Sequence, residues 1–317
     1  MAIASRPIVP SRLSPGAALS HTSRTKAPRT RVGAFVALTK PRIIELLLIT
    51  TVPTMVVAEQ GLPGLRLTLL TLLGGALAAG GANAMNMYVD RDIDRLMPRT
   101  QGRPLVTGEV TPRQAFAFSL SLEVAAFAVL ALGVNVLSAV LALSATLFYV
   151  FVYTLWLKRT STSNIVIGGA AGAVPVLVGW SAVTGTLDWA PVVLFAVIFL
   201  WTPPHFWALA VRYADDYRKA SVPMLPVVAP PEVTARKVLL YTAATVAASL
   251  VLVPVADLGL TYLVAAVATG AVFLQMALAL RARPEARRAM RLFTWSISYV
   301  TLLFVAMAAD VVVTHGW

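Results

Sequence analysis

Asn86, Asp90 and Asp94 recur at every fourth position of NAMNMYVDRDIDRLMPRTQGRPL, in a chain with only 14 acidic residues among 317. On an α-helix, positions four apart drift by about 40° per step at a rise of roughly 1.5 Å per residue, so one face carries an amide and two carboxylates in a row. Hard oxygen donors of this kind suit Mg²⁺, which is typically held by one or two carboxylates together with waters and substrate phosphates. The face reads as half of a diphosphate clamp, with Asp90 and Asp94 as metal ligands and Asn86 beside them. A solvated helix end with capping acids is the alternative, and it is the reading for Asp92 on the opposite face.

Basic residues follow at the same spacing. Arg91, Arg95, Arg99 and Arg103 lie four apart, but Pro98 breaks a helix before the last two. Arg99 and Arg103 are therefore expected on a loop over the acidic face, where a guanidinium fork can grip phosphate oxygens. Lys40 and Arg42 flank Pro41, and Lys158 and Arg159 precede the turn at 161–164. Each pair either contacts the same anion or only orients its helix.

A second acidic tract, Asp215 and Asp216, lies in HFWALAVRYADDYRKASVPMLP. It offers a carboxylate partner for the first tract across a bridging diphosphate, or else balances Arg212, Arg218 and Lys219 at the interface. His205 stands about two turns before it, directly after Pro203 and Pro204, which are expected to kink the helix. A polar side chain at that depth is a functional candidate, against the alternative of a packed hydrogen-bonding histidine. Trp201, Phe206 and Trp207 are assigned to the interfacial aromatic belt in preference to a pocket. Glu45, Glu123 and Asp310 fall inside apolar runs, where an ionised acid costs about 2.5 kcal/mol or more unless paired. Glu45 can pair with Arg42, and neither of the other two has a nameable partner or role.

The elements that must position these residues are membrane helices. The chain is 58% hydrophobic and 13% charged, with a mean hydropathy of +0.78. A spanning helix needs about 20 mostly apolar residues. Nine such runs are expected, over 34–58, 64–88, 114–133, 136–156, 164–184, 190–211, 238–255, 259–281 and 292–314. They show no sustained alternation, so an all-α helical bundle follows and a β-barrel does not. No hydrophilic stretch between runs exceeds about 25 residues, too short for a soluble domain of about 50 residues or more.

The net charge of +12 belongs to topology. With the N-terminus cytoplasmic, the basic residues fall in alternate loops and only Arg66 lies on the other side, which is the positive-inside pattern and needs no nucleic acid. Nine crossings then put the C-terminus outside. Residues 1–32 read as a disordered basic cytoplasmic tail ahead of a membrane domain over 33–317. An Arg-rich leader also suits a transit peptide, but Pro7, Pro10, Pro15 and Pro28 disfavour the amphipathic helix that requires, so a bacterial inner membrane is preferred to a mitochondrial one. The absence of cysteine leaves only oxygen or histidine ligands for a metal.

The strings LTKPRIIELLLITTVPTM, NMYVDRDIDRLMPRTQGRPL, YTLWLKRTSTSNIVIGGAAGAVPVLVGW and TPPHFWALAVRYADDYRKASVPMLPVV, spread over 38–228, resemble the UbiA superfamily of intramembrane prenyltransferases and, within it, the haem-farnesylating branch. That resemblance implies transfer of a farnesyl group from farnesyl diphosphate to a vinyl group of haem B, with Mg²⁺ as cofactor and the lipid bilayer as setting. It also implies downstream haem-modifying or oxidase-assembly partners. Asp90, Asp94 and Asp216 would hold metal, Asn86 would assist, Arg99 and Arg103 would bind the leaving group, and His205 would contact haem. Tyr213 stands where many members carry the first acid of the second tract, leaving open how a second metal is held. Two alternatives remain: a relative with an aromatic or quinone-precursor acceptor, and a cation-coupled transporter. The transporter predicts acids deep in the bilayer with access from both sides.

Overall fold

In hydrocarbon every backbone donor needs an internal partner, so apolar runs of this length close their bonds within themselves as helices. The computed structural model describes residues 29–315, and among them there is no strand. The helices are α1 (Arg31–Thr39), α2 (Pro41–Glu59), α3 (Leu65–Val89), α4 (Arg91–Leu96), α5 (Pro104–Thr107), α6 (Pro112–Gly133) and α7 (Val136–Leu147). A π-helical segment, Phe148–Leu157, continues α7 into α8 (Lys158–Thr160). Then come α9 (Asn164–Thr184), α10 (Trp189–Arg212), α11 (Ala214–Lys219), α12 (Leu225–Val228), α13 (Pro231–Val255), α14 (Leu260–Ala282) and α15 (Ala286–His315). Expectations for residues 1–28 and for the side chains of Arg42 and Glu45 lie outside the described residues.

Eight of these helical spans are long and apolar enough to cross a membrane. The first expected span, 34–58, is divided. Lys40 takes a left-handed conformation (φ 52°, ψ 65°) between α1 and α2. Pro41 sits at the first position of α2, where its missing N–H costs nothing, and a residue before proline is driven out of the right-handed helical region. A left-handed lysine costs on the order of 1–3 kcal/mol. Asn83 Nδ2 holds the junction by donating to the Thr39 carbonyl at 3.1 Å.

Two other helices start earlier than hydropathy suggests, α13 at Pro231 and α15 at Ala286, because each has a polar first turn that apolarity cannot register. Residues 29–32 also make defined contacts. Thr30 caps α1 through Gly33 N (3.1 Å), and Arg29 pairs with Glu109 at 3.0 Å.

α3 packs on α6, α10 on α9, α13 and α15, and α2 on α9 and α15. Small residues let these helices approach: a Cβ on Gly179 of α9 would come within 2.9 Å of the Thr51 carbonyl of α2. Large apolar side chains such as Leu65, Leu132 and Trp189 point outward, as a lipid-facing surface requires.

The structure also supplies partners for two acids that had none. Glu123 accepts from Thr146 Oγ1 at 3.2 Å. Asp310 accepts from the backbone N–H of Gly259 (2.6 Å) and Tyr262 (3.1 Å), so α15 caps the N-terminus of α14.

Candidate functional site

The acidic face survives the end of α3. Asp90 is a single non-helical residue (φ −82°, ψ 6°) whose carbonyl accepts from Asp94 N at 2.9 Å, so four-residue backbone hydrogen bonding carries on from α3 into α4. Asn86, Asp90 and Asp94 are only 4%, 0% and 1% exposed, which rules out the solvated helix end for these three. Asp92 does point to solvent, where both its oxygens are held by Arg159 at 2.7 and 2.8 Å. That pairing draws its carboxyl down to about 2.

Buried carboxylates are costly unless paired, with penalties of several kcal/mol per ion. Here four basic side chains converge on the face. Lys158 Nζ donates to Asp90 Oδ2, and Asn86 Nδ2 donates to the same oxygen at 2.8 Å. Arg103 donates to Asp94 Oδ2 at 2.5 Å, Lys40 Nζ to Asn86 Oδ1 at 2.9 Å, and Arg159 stands 3.7 Å from Asp90 Oδ1. Burial raises the carboxyl of Asp94 and Arg103 opposes the rise. Lys40 is lowered to about 7, first by burial and then by Arg103 and Lys158 beside it.

One oxygen of each carboxylate is left without a hydrogen bond. Asp90 Oδ1 and Asp94 Oδ1 are both buried and accept no hydrogen bond. Two anionic oxygens held on one face with open coordination fit a hard divalent cation that completes its shell from water and phosphate. No group of three His, Cys, Asp or Glu side chains among the described residues converges on a single ion position.

The π-helical segment is the element the sequence did not reveal. Its wider turn shows in Thr154 Oγ1, which donates five residues back to the Tyr149 carbonyl at 2.8 Å and accepts from Asn86 Nδ2 at 3.2 Å. Thr154 and Lys158, four apart, are both delivered to the acidic face, and π-turns recur at functional sites for this kind of re-aiming. The only advance signals in FYVFVYTLWL are one threonine and, across the interface, Gly168, where a Cβ would collide with the Tyr153 ring.

The loop after α4 folds as expected of Pro98. Thr100, which had not been singled out, ties it down by donating to the Asp94 carbonyl at 2.7 Å. Arg103 then reaches Asp94, while Arg99 turns toward the second tract, 3.9 Å from Asp216 Oδ2. The Arg99 guanidinium lies 5.6 Å from the Tyr213 ring centre and 5.0 Å from that of Tyr217. Tyr213, in the place of an acid, is therefore a stacking surface for the bridging arginine. Asp215 points to solvent and pairs with Arg218.

His205 lies deeper. α10 runs unbroken through Pro203 and Pro204. The imidazole stacks on Trp201 (4.3 Å, 21°) and packs against Phe293 (4.6 Å). Its Nδ1 is 2.7 Å from Ser296 Oγ, whose own proton goes to the Phe293 carbonyl at 2.7 Å. Ser296 therefore accepts from Nδ1–H, which leaves the Nε2 lone pair uncommitted. Trp201 and Trp207, expected in the aromatic belt, are 2% and 1% exposed and belong to the core; the Trp201 indole donates to the Ser296 carbonyl at 2.8 Å. Phe206 alone of the three faces outward, at 38%.

Comparison with known proteins gives a consistent result. The model of the UbiA prenyltransferase family matches residues 47–305. A protein named protoheme IX farnesyltransferase from Streptomyces avermitilis is 55% identical over 298 residues, covering 92% of this chain and 98% of its own length. Another of that name from Frankia casuarinae is 59% identical over 282 residues, covering 88% and 98%. Among solved structures, a digeranylgeranylglyceryl phosphate synthase superposes with a TM-score of 0.75 at 17% identity, covering 89% of this chain and 99% of its own. A UbiA homologue from Archaeoglobus fulgidus bound to GPP and Mg²⁺ gives 0.57 at 18% identity, covering 86% and 99%.

Proposed function

The chain belongs to the UbiA prenyltransferase family, and on that premise we propose that it transfers the farnesyl group of farnesyl diphosphate to a vinyl group of haem B, with addition of water, giving haem O and diphosphate. The observation that carries the chemistry is the pair of buried carboxylates, Asp90 and Asp94, each with one oxygen that accepts no hydrogen bond, at the rim of an apolar bundle. Mg²⁺ held there, with Asp216 facing it across the diphosphate, would neutralise the leaving group. Lys40, Lys158, Arg159, Arg99 and Arg103 bind the diphosphate oxygens and stabilise the charge that develops on them. Arg103 and Lys158 exchange a carboxylate for phosphate as they do so, which keeps every buried charge partnered.

The reacting allylic carbon belongs below this rim, where the bundle excludes water. His205, with Nε2 uncommitted, faces the haem as iron ligand or hydrogen-bond acceptor, and Ser296 holds its tautomer. Residues 33–317 form the catalytic domain, with α2 as the ninth crossing and a cytoplasmic N-terminus, in the inner membrane of a bacterium. The basic residues on alternate loops support that orientation.

The membrane protein incubated with haem B, farnesyl diphosphate and Mg²⁺ should yield a haem heavier by a hydroxyfarnesyl-derived group in pigment mass spectrometry. Unchanged haem beside a prenylated aromatic acceptor would overturn the haem assignment while leaving the prenyl transfer intact.

A further inference from the structure

We propose that haem B docks through its two propionate carboxylates on an arginine-rimmed groove formed by α10, α14 and α15, a site separate from the diphosphate clamp; this rests on the haem-farnesylating reading above. The groove is shallow and open along one side, with a volume of about 740 Å³. Arg212, Arg287 and Arg291 stand at its rim, where α10 ends and α15 begins. None of the three forms an ion pair with an acid among the described residues, unlike Arg103, Arg159 and Arg218. Three cations left without carboxylates at one mouth call for an anionic ligand.

Below the rim the lining turns apolar, with Met276, Met290 and Trp295, so the ligand is an amphiphile with its charges at one end. The Trp295 indole N–H is buried and unpartnered there. Along α15 the groove runs from Arg287 to Ser298, about 16 Å at helical rise. That passes the depth of Ser296, the partner of His205. On α10, Arg212 lies seven residues beyond His205, which returns to the same face within about 20°.

Through Arg212 the rim of the groove lies near the second acidic tract, which is not part of its lining. The Tyr213 ring is 5.9 Å from the Arg212 guanidinium and 5.6 Å from that of Arg99, which reaches Asp216. A phospholipid would need only the rim and an adjacent apolar wall. A rigid dicarboxylate suits a groove that sets three arginines over an apolar lining with a buried, unpartnered indole N–H.

The test is an absorbance titration of the full-length protein in nanodiscs with haem B, without farnesyl diphosphate. Combining Arg212→Ala, Arg287→Ala and Arg291→Ala should weaken haem affinity roughly tenfold or more, as expected for lost charge-assisted bonds. The dimethyl ester of haem B, which removes the carboxylates without touching the protein, should bind the wild type and the variant equally weakly. Haem affinity unchanged in the variant, or an ester bound by the wild type as tightly as haem, would overturn the proposal. So would a variant that loses co-purifying anionic phospholipid while its haem affinity stands. A wild type that binds haem through these arginines but makes no haem product would instead overturn the functional reading.

Discussion

The two acidic tracts use the same residue type in opposite physical states. Asp90 and Asp94 are wholly buried at the α3–α4 junction and ringed by Lys40, Arg103, Lys158 and Arg159. Asp215 and Asp216 lie on a six-residue helix; one pairs with Arg218 in solvent and the other has Arg99 alone at 3.9 Å. A buried carboxylate with several partners is held in place before substrate arrives, so its geometry is part of the site. A half-buried carboxylate with one distant partner, as Asp216 is, must be recruited by what binds. The first tract is thus the fixed half of the clamp and the second its adjustable half.

The largest test of that contrast is removal of one charge from the fixed half. Asp90→Asn or Asp94→Asn should lower kcat/KM by about 10³-fold or more, the scale of losing a group aimed at transition-state charge, with haem B still binding in an absorbance titration. Chelation of divalent cations should reproduce the loss. Retained turnover in either variant would remove that residue from the mechanism.

Removing the surrounding cations should cost less. Lys158→Met and Arg103→Met each lose one phosphate contact and are expected to reduce kcat/KM by about 10²-fold. Each also leaves a buried carboxylate short of a partner, so a lowered melting temperature should accompany the kinetic effect. A variant with normal kinetics and a lowered melting temperature would show that its cation serves only the fold.

The smallest effects should come from the adjustable half, and they should be unequal. Asp216→Asn is expected to reduce kcat/KM by about tenfold, and Asp215→Asn by no more than about twofold, since an exposed pair contributes little. If Asp216→Asn were as damaging as Asp90→Asn, the two halves would be equivalent and the contrast would fail. A matching loss in Asp215→Asn would reverse the order of the two residues.

Much of this site was legible in advance. Asn86, Asp90 and Asp94 share a face because a four-residue spacing leaves a helix no other option, and Pro98 forces the loop that carries Arg99 and Arg103. Asp216 lies beside Arg99 of that loop, whereas Asp215 pairs with Arg218. Other parts were not legible. FYVFVYTLWL reads as ordinary α-helix, since a π-turn changes backbone bonding without changing the apolar pattern. Trp201 and Trp207 have the composition of an interfacial belt, yet they pack inside the bundle, because burial depends on which neighbour a helix face meets. Lys40 marks a break in an apolar run that hydropathy averages away.

The sequence by itself determined that this is a helical membrane protein, that its charged chemistry lies on one side, and that its acidic face suits Mg²⁺ and diphosphate. These follow from local rules: apolar length, loop charge and helical period. Only the tertiary structure decided that Lys158 and Arg103 hold the two aspartates, that Ser296 fixes the tautomer of His205, and that Arg212 joins Arg287 and Arg291 at one groove. Each joins residues on elements far apart in the chain or aims a side chain by packing, and no spacing along a sequence encodes the distance between helices that meet in space.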